Sequence, residues 1–132
     1  MNLNVNADYT RSFNIGIYDD LLEYIYLSGK KEFDYRAFRH LFEQKKCIKH
    51  LICQIDNMIA DIDFSYESSL ADKCINYADI LFKLAIKYGI KGSRDTLKSM
   101  GNIVHELRDT EYQLIERLIK LLQPYAEEEI YA

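Results

Sequence analysis

The chain has 132 residues, a length that fits one compact domain and leaves little room for a second. Its 17 Lys+Arg against 21 Asp+Glu sum to a net charge of −4, so a basic face for nucleic acid is not expected. With 48% hydrophobic residues, one Pro and 5 Gly, it is neither disordered nor collagen-like, and a helical soluble domain is expected.

Residues 1 to 15 show no clear period, because Asn2, Asn4, Asn6, Asp8 and Asn14 interrupt the apolar positions; an extended or frayed arm is expected. A helix over about 17–28 follows. It has Ile17, Leu21 and Tyr24 on one stripe and Tyr18, Leu22, Ile25 and Tyr26 on an adjoining one, and Ser28-Gly29 ends it. Asp34 is the expected N-cap of the next helix, which turns Phe38, Leu41 and Phe42 inward and places Lys45-Lys46 near its C-terminal dipole. The steps of three and four from Ile48 through Leu51, Ile52, Ile55, Met58, Ile59 and Ile62 predict another amphipathic helix. A loop over 61–67 and a restart at Ser68 or Ser69 come next.

The segment from Ile80 to Ile90 leaves only Lys83 and Lys87 polar before Gly89, the pattern of a helix surrounded by others, with Gly89 as its C′ residue. Ser93 or Asp95 caps a helix that turns Leu97, Met100, Ile103, Val104 and Leu107 inward. Thr110 with Gln113 resembles a capping box for the last helix, which Pro124 stops ahead of an acidic tail over 125–132. The expected fold is all-α, six or seven helices over 16–124 around a buried central helix at about 78–89.

No apolar run reaches the ~20 residues of a membrane span, and the first thirty residues lack the basic-then-apolar pattern of a secretory leader. Cys47, Cys53 and Cys74 form no CxxC and cannot all pair, so reduced thiols in a cytosol are expected. His40, His50, Cys47 and Cys53 do not have zinc-module spacing, and no metal or other cofactor is expected. The run His105-Glu106-Leu107-Arg108 is similar to the phospho-accepting box of sensor histidine kinases, but Asp109-Thr110 stands where a Thr-Pro pair belongs. A His105 phosphotransfer helix is therefore an alternative. No nucleophile elbow, P-loop or dinucleotide motif is present, so no enzymatic activity is expected. The 11 Tyr exceed what a core filled by Ile and Leu can absorb, which makes Tyr18, Tyr24 and Tyr26 candidates for a partner-facing surface.

Three stretches carry a family likeness: Leu21-Leu22-Glu23-Tyr24-Ile25-Tyr26, Ile80 to Gly89 closing on Tyr88-Gly89, and Ser99-Met100-Gly101-Asn102-Ile103. In order and spacing over 17–122, the chain resembles the poxviral Bcl-2-like family of vaccinia-type intracellular immune-evasion proteins. The resemblance implies a non-enzymatic helical bundle in the host cell cytoplasm that binds adaptor or kinase-complex proteins and blocks signalling toward NF-κB or interferon regulatory factors. It also implies a homodimer through the first and sixth helices, where Tyr18, Leu22, Tyr26, Arg94 and Lys98 are the candidate face. The alternative within the same fold is an apoptosis inhibitor that holds a pro-death helix in a groove. Asn76-Tyr77-Ala78-Asp79 is similar to the Asn-Trp-Gly-Arg signature of that branch, with Asp79 as the groove-edge candidate. Its negative charge would repel the acidic residue of such a helix, which favours the signalling branch. Neither nucleic acid nor membrane is an expected partner.

Overall fold

A computed structural model of the chain describes residues 16–27 and 34–131, with side chains of the last helix described through Tyr125. The arm expected over 1–15 and the Ser28-Gly29 stop lie outside the described residues. Among the described residues there are four helices and no strand: α1 (Gly16–Leu27), α2 (Arg36–Met58), α3 (Ser65–Lys91) and α4 (Arg94–Tyr131). The chain is all-α, and no described helix is long and apolar enough to cross a membrane.

Four helices stand where six or seven were expected because three anticipated breaks are continuous helix. At the first, Lys45 is not near a helix end but buried in the middle of α2. At the second, α3 starts earlier than Ser68, at Ser65, whose N–H donates to Asp63 Oδ1 at 2.9 Å, and it then runs through the expected boundary before Ile80. Gly89 lies inside this helix; the C-terminal residue in the left-handed region is Gly92, at φ 65°, and its N–H donates to the Tyr88 carbonyl. At the third, the Thr110 hydroxyl donates to the Glu106 carbonyl at 2.8 Å, which satisfies it within a helix rather than at a cap. Pro124 also lies inside α4, whose backbone stays helical through Tyr131, so the boundary expected at 124 is absent. The N-cap of α2 is Tyr35 and not the expected Asp34; Asp34 stands one residue earlier, where its carboxylate accepts the Arg36 N–H at 2.9 Å and the Arg36 guanidinium at 3.0 Å. Those bonds hold the Asp34 carboxyl below its ordinary range.

Cross-helix pairs define an up-down-up-down bundle. Lys49 meets Asp72 at 2.8 Å and Tyr35 stacks on Phe82, which makes α2 and α3 antiparallel. Gln113 donates to Tyr66 Oη at 2.8 Å and Arg117 to Glu67 at 2.7 Å; since Gly92-Ser93 joins the end of α3 to the start of α4, these contacts from the start of α3 to the middle of α4 make that pair antiparallel too. The first helix returns along the last: Asp19 faces Arg108 at 3.7 Å, and Tyr26 lies across Gly101, where a Cβ would stand 3.1 Å from its hydroxyl. Thus α3 packs against α2 and α4, and α1 closes on α4. The expected central helix is buried along one stripe, Ala78, Leu81, Ala85 and Tyr88, while Ile86 and Ile90 face outward. It is therefore one wall of the bundle and not a wrapped axis.

The core has two parts. One joins Tyr18, Leu21 and Ile25 of α1 to Phe38, Leu41, Leu81, Met100, Val104 and Leu107. The other joins Ile52, Phe64, Leu70, Ala71 and Leu114 beyond the reach of α1. Each fully buried large side chain contributes about 1.5–3 kcal/mol relative to exposure, so these seams and not intrinsic helix propensity hold the helices together.

Between the two parts sits a buried polar cluster. The Lys45 ammonium is paired with Glu111, both side chains being almost fully buried. It also stands 5.3 Å above the Tyr18 ring. The Tyr18 hydroxyl and the second Glu111 carboxylate oxygen find no hydrogen-bond partner among the described residues. Burial, and then the nearby Glu111 charge, pushes the Tyr18 hydroxyl above its ordinary range. The same two causes push the Cys74 thiol up to about 12, against a smaller opposing effect of Lys45.

Candidate functional site

Because α1 closes on α4, it leaves α2 at a distance, and the two touch through long side chains only. Tyr24 stacks on Phe38 with ring centroids 6.4 Å apart, and Tyr24 Oη accepts the Asp34 N–H at 2.8 Å. Outside that contact a groove of about 640 Å³ opens along α1 and α2. Its floor is Ile17, Leu21, Tyr24 and Leu41; small Ala37 on the α2 side leaves the space that a larger residue would fill. Polar side chains form the rim: Asp20 on α1, and His40, Glu43, Gln44 and Cys47 on α2, with Glu43 also pairing to Lys46 at 3.2 Å. An apolar floor with a polar, net acidic rim is suited to holding an apolar segment, with rim groups fixing its orientation.

The structure redistributes the residues singled out in the sequence. Tyr18 is 0% exposed and belongs to the core stripe with Leu21 and Ile25, which removes it from the candidate outer face. Leu22 is half-buried against the same core. Tyr26 is 68% exposed while covering Gly101, and Arg94 and Lys98 are exposed at the start of α4, so Tyr26 comes within about one helical turn of Lys98. Tyr24, expected to face a partner, is half-buried at the groove. Asp79 does not line the groove: it is on α3, paired with Lys83 at 2.9 Å.

His105 and Glu106 are exposed on α4, and His40 and His50 are exposed on α2. Cys47 and Cys53 are exposed and Cys74 is buried. Among the described residues no three His, Cys, Asp or Glu side chains gather into a possible metal site. Of the seven apolar residues expected inward between Ile48 and Ile62, only Ile52 is fully buried, while Leu51 and Met58 face outward.

The buried Lys45–Glu111 pair was missed, although a signal existed. Lys45 is four residues after Leu41 and seven before Ile52, and Glu111 lies between Leu107 and Leu114, so each charge occupies an apolar register position of its helix. No protein-family model matches the chain, and neither a curated protein nor a solved structure matches it.

Proposed function

We propose that this chain is a non-enzymatic, all-helical binding domain that inhibits host innate immune signalling of the NF-κB type by protein–protein contact in the host cell cytoplasm. The observation that carries the binding part of the reading is the apolar groove between α1 and α2. The target class rests on the resemblance over 17–122. The proposed homodimer face, with Tyr18 withdrawn to the core, is Leu22 and Tyr26 of α1 beside Arg94 and Lys98 of α4.

An NF-κB reporter in mammalian cells, stimulated in parallel through a cytokine receptor and a Toll-type receptor, tests the reading. Wild type is expected to inhibit at least one route, and Ala37→Arg, which fills the groove from an exposed position, to lose that inhibition at equal expression. No inhibition by wild type on either route overturns it. Light scattering of Tyr26→Glu against wild type tests the dimer face, and an unchanged dimer rejects it.

The groove also favours a second reading, an apoptosis inhibitor that seats a pro-death amphipathic helix there. Asp79 is already neutralised by Lys83 and stands on another helix, so it gives no strong argument against such a helix. Calorimetry against a panel of pro-death peptides separates the readings; submicromolar binding to any of them moves the function to cell-death control.

A further inference from the structure

The expected central helix is buried along one stripe only, and its opposite side faces outward. Lys83, Ile86, Lys87 and Ile90 follow one another at helical spacing and so share that outward side over the last turns of α3. Ile86 is 40% exposed and Ile90 79%. Tyr35, 49% exposed at the start of α2, stacks on Phe82, one turn before Ile86. Together they form a ridge of aliphatic and aromatic side chains with cations beside them. Asp79 takes up Lys83 at 2.9 Å, but the exposed Arg39, Lys87 and Lys91 pair with no acid among the described residues. Asp95, the acid next along the chain, is flanked by Arg94 and Lys98. The net charge of −4 does not cancel this local excess, because it is unevenly placed. Asp56, Asp61 and Asp63 are exposed beside the start of α3, about 30 Å from the ridge, several times the roughly 8 Å over which charges act at physiological salt.

We propose that this ridge docks on an anionic bilayer surface. Ile86 and Ile90 enter the boundary between headgroups and acyl chains, and Tyr35 sits at headgroup level with its hydroxyl in water. Arg39, Lys87 and Lys91 meet the lipid phosphates and carboxylates, which supply the countercharge that the fold does not. A bilayer suits the shape better than an acidic peptide does, because Ile90 projects from the helix, and a lipid boundary takes up a projecting side chain without a shaped receptor. No described helix is long and apolar enough to cross a membrane, so the contact is with the surface alone. The groove opens on the α1 side of α2 and the ridge lies on its α3 side, so a docked molecule keeps the groove free, and either surface can bind without the other.

The chain has no Trp, so Ile90→Trp places a single fluorophore on the ridge at an exposed position that leaves the core alone. Vesicles of phosphatidylcholine with about one-third phosphatidylserine are expected to shift its emission to the blue, and bromine on their acyl chains to quench it. Phosphatidylcholine alone should do neither, and molar salt should reverse the shift. Met58→Trp, at a position 82% exposed at the other end of the bundle, should keep the emission of a fluorophore in water. Each cation near the surface contributes about fivefold, so Lys87→Glu with Lys91→Glu should weaken vesicle binding by more than about twentyfold, with circular dichroism unchanged. No shift with either vesicle overturns the proposal, and so do equal shifts with both or full binding by the double variant. A shift with a helical glutamate-rich peptide but not with vesicles also overturns it, and assigns the ridge to an acidic protein partner.

Discussion

The Lys45–Glu111 pair makes a quantitative demand on the bundle. Its two side chains are 1% and 0% exposed and join α2 to α4 across the middle of the core. Replacing Lys45 by Met leaves a buried carboxylate with no cation, and one of its oxygens already lacks a hydrogen-bond partner. The expected cost is about 3–5 kcal/mol, a large share of the roughly 5–15 kcal/mol that holds a typical domain folded. Glu111→Leu should cost a similar amount, reduced by up to about 2 kcal/mol if the stranded ammonium keeps its place over the Tyr18 ring. Lys45→Met with Glu111→Leu removes both charges and restores apolar volume, and should lie within about 1 kcal/mol of wild type or above it. Urea denaturation followed by circular dichroism gives all four corners of the cycle, with the slope checked for constancy. Single variants that each cost less than about 1 kcal/mol and simply add would refute the reasoning, because the pair would then be solvated and not buried.

Glycine at two nearby positions should respond with opposite signs. Gly89→Ala is expected to stabilise by about 0.5–1 kcal/mol, since a Cβ there meets nothing within 4 Å and the residue is inside α3. Gly92→Ala is expected to destabilise by about 1–2 kcal/mol through its φ of 65°; midpoints shifting the same way for both would put the helix end elsewhere. Cys74 links stability to alkaline pH: its thiol rises from an ordinary 9.0 to about 12 in the fold, so its contribution is complete below pH 9.0 and is lost as pH climbs through about 12. Wild type should therefore lose stability above pH 9.0 more steeply than Cys74→Ala, and parallel pH profiles from urea midpoints would reject the assignment. Arg117→Ala should cost about 1.5–3 kcal/mol, because it strips a charged hydrogen bond from Glu67, which is 1% exposed, and a cation from the Tyr66 ring. A thermal melt that matches wild type would show that Glu67 is satisfied by another group.

The helical character and the inward stripe Met100, Val104 and Leu107 were legible because each is written within one turn or two of its own helix, and the start of α2 was placed one residue early at Asp34. Helix continuity was not. Gly89, Thr110 and Pro124 are local break signals that the helices run through, and at Thr110 the buried stripe continues on both sides, from Leu107 to Leu114. Tyr18 was misplaced because an amphipathic side chain reads equally as core or surface until its neighbours are known; here the cation over its ring comes from another helix. The Lys45–Glu111 pair joins residues 66 positions apart, so either charge alone looks solvated. The groove was the least legible feature, since it arises where α1 leans away from α2 and Ala37 supplies too little volume to close the gap.

The pairing of the first helix with the last has a consequence for the order in which the chain assembles. Each of α2, α3 and α4 meets its neighbour across a short connection, residues 59–64 or Gly92-Ser93, so these hairpins close at small entropic cost. Only α1 must find its seat on α4 across most of the length of the chain, with Asp19 meeting Arg108 and Tyr26 meeting Gly101. Its seat is therefore expected to form after the two hairpins and to open before them. Amide exchange in α1 should then run through a cheaper opening than exchange in α3, and each opening would uncover Phe38, Leu41 and the face of α4 that Tyr18 and Ile25 otherwise seal.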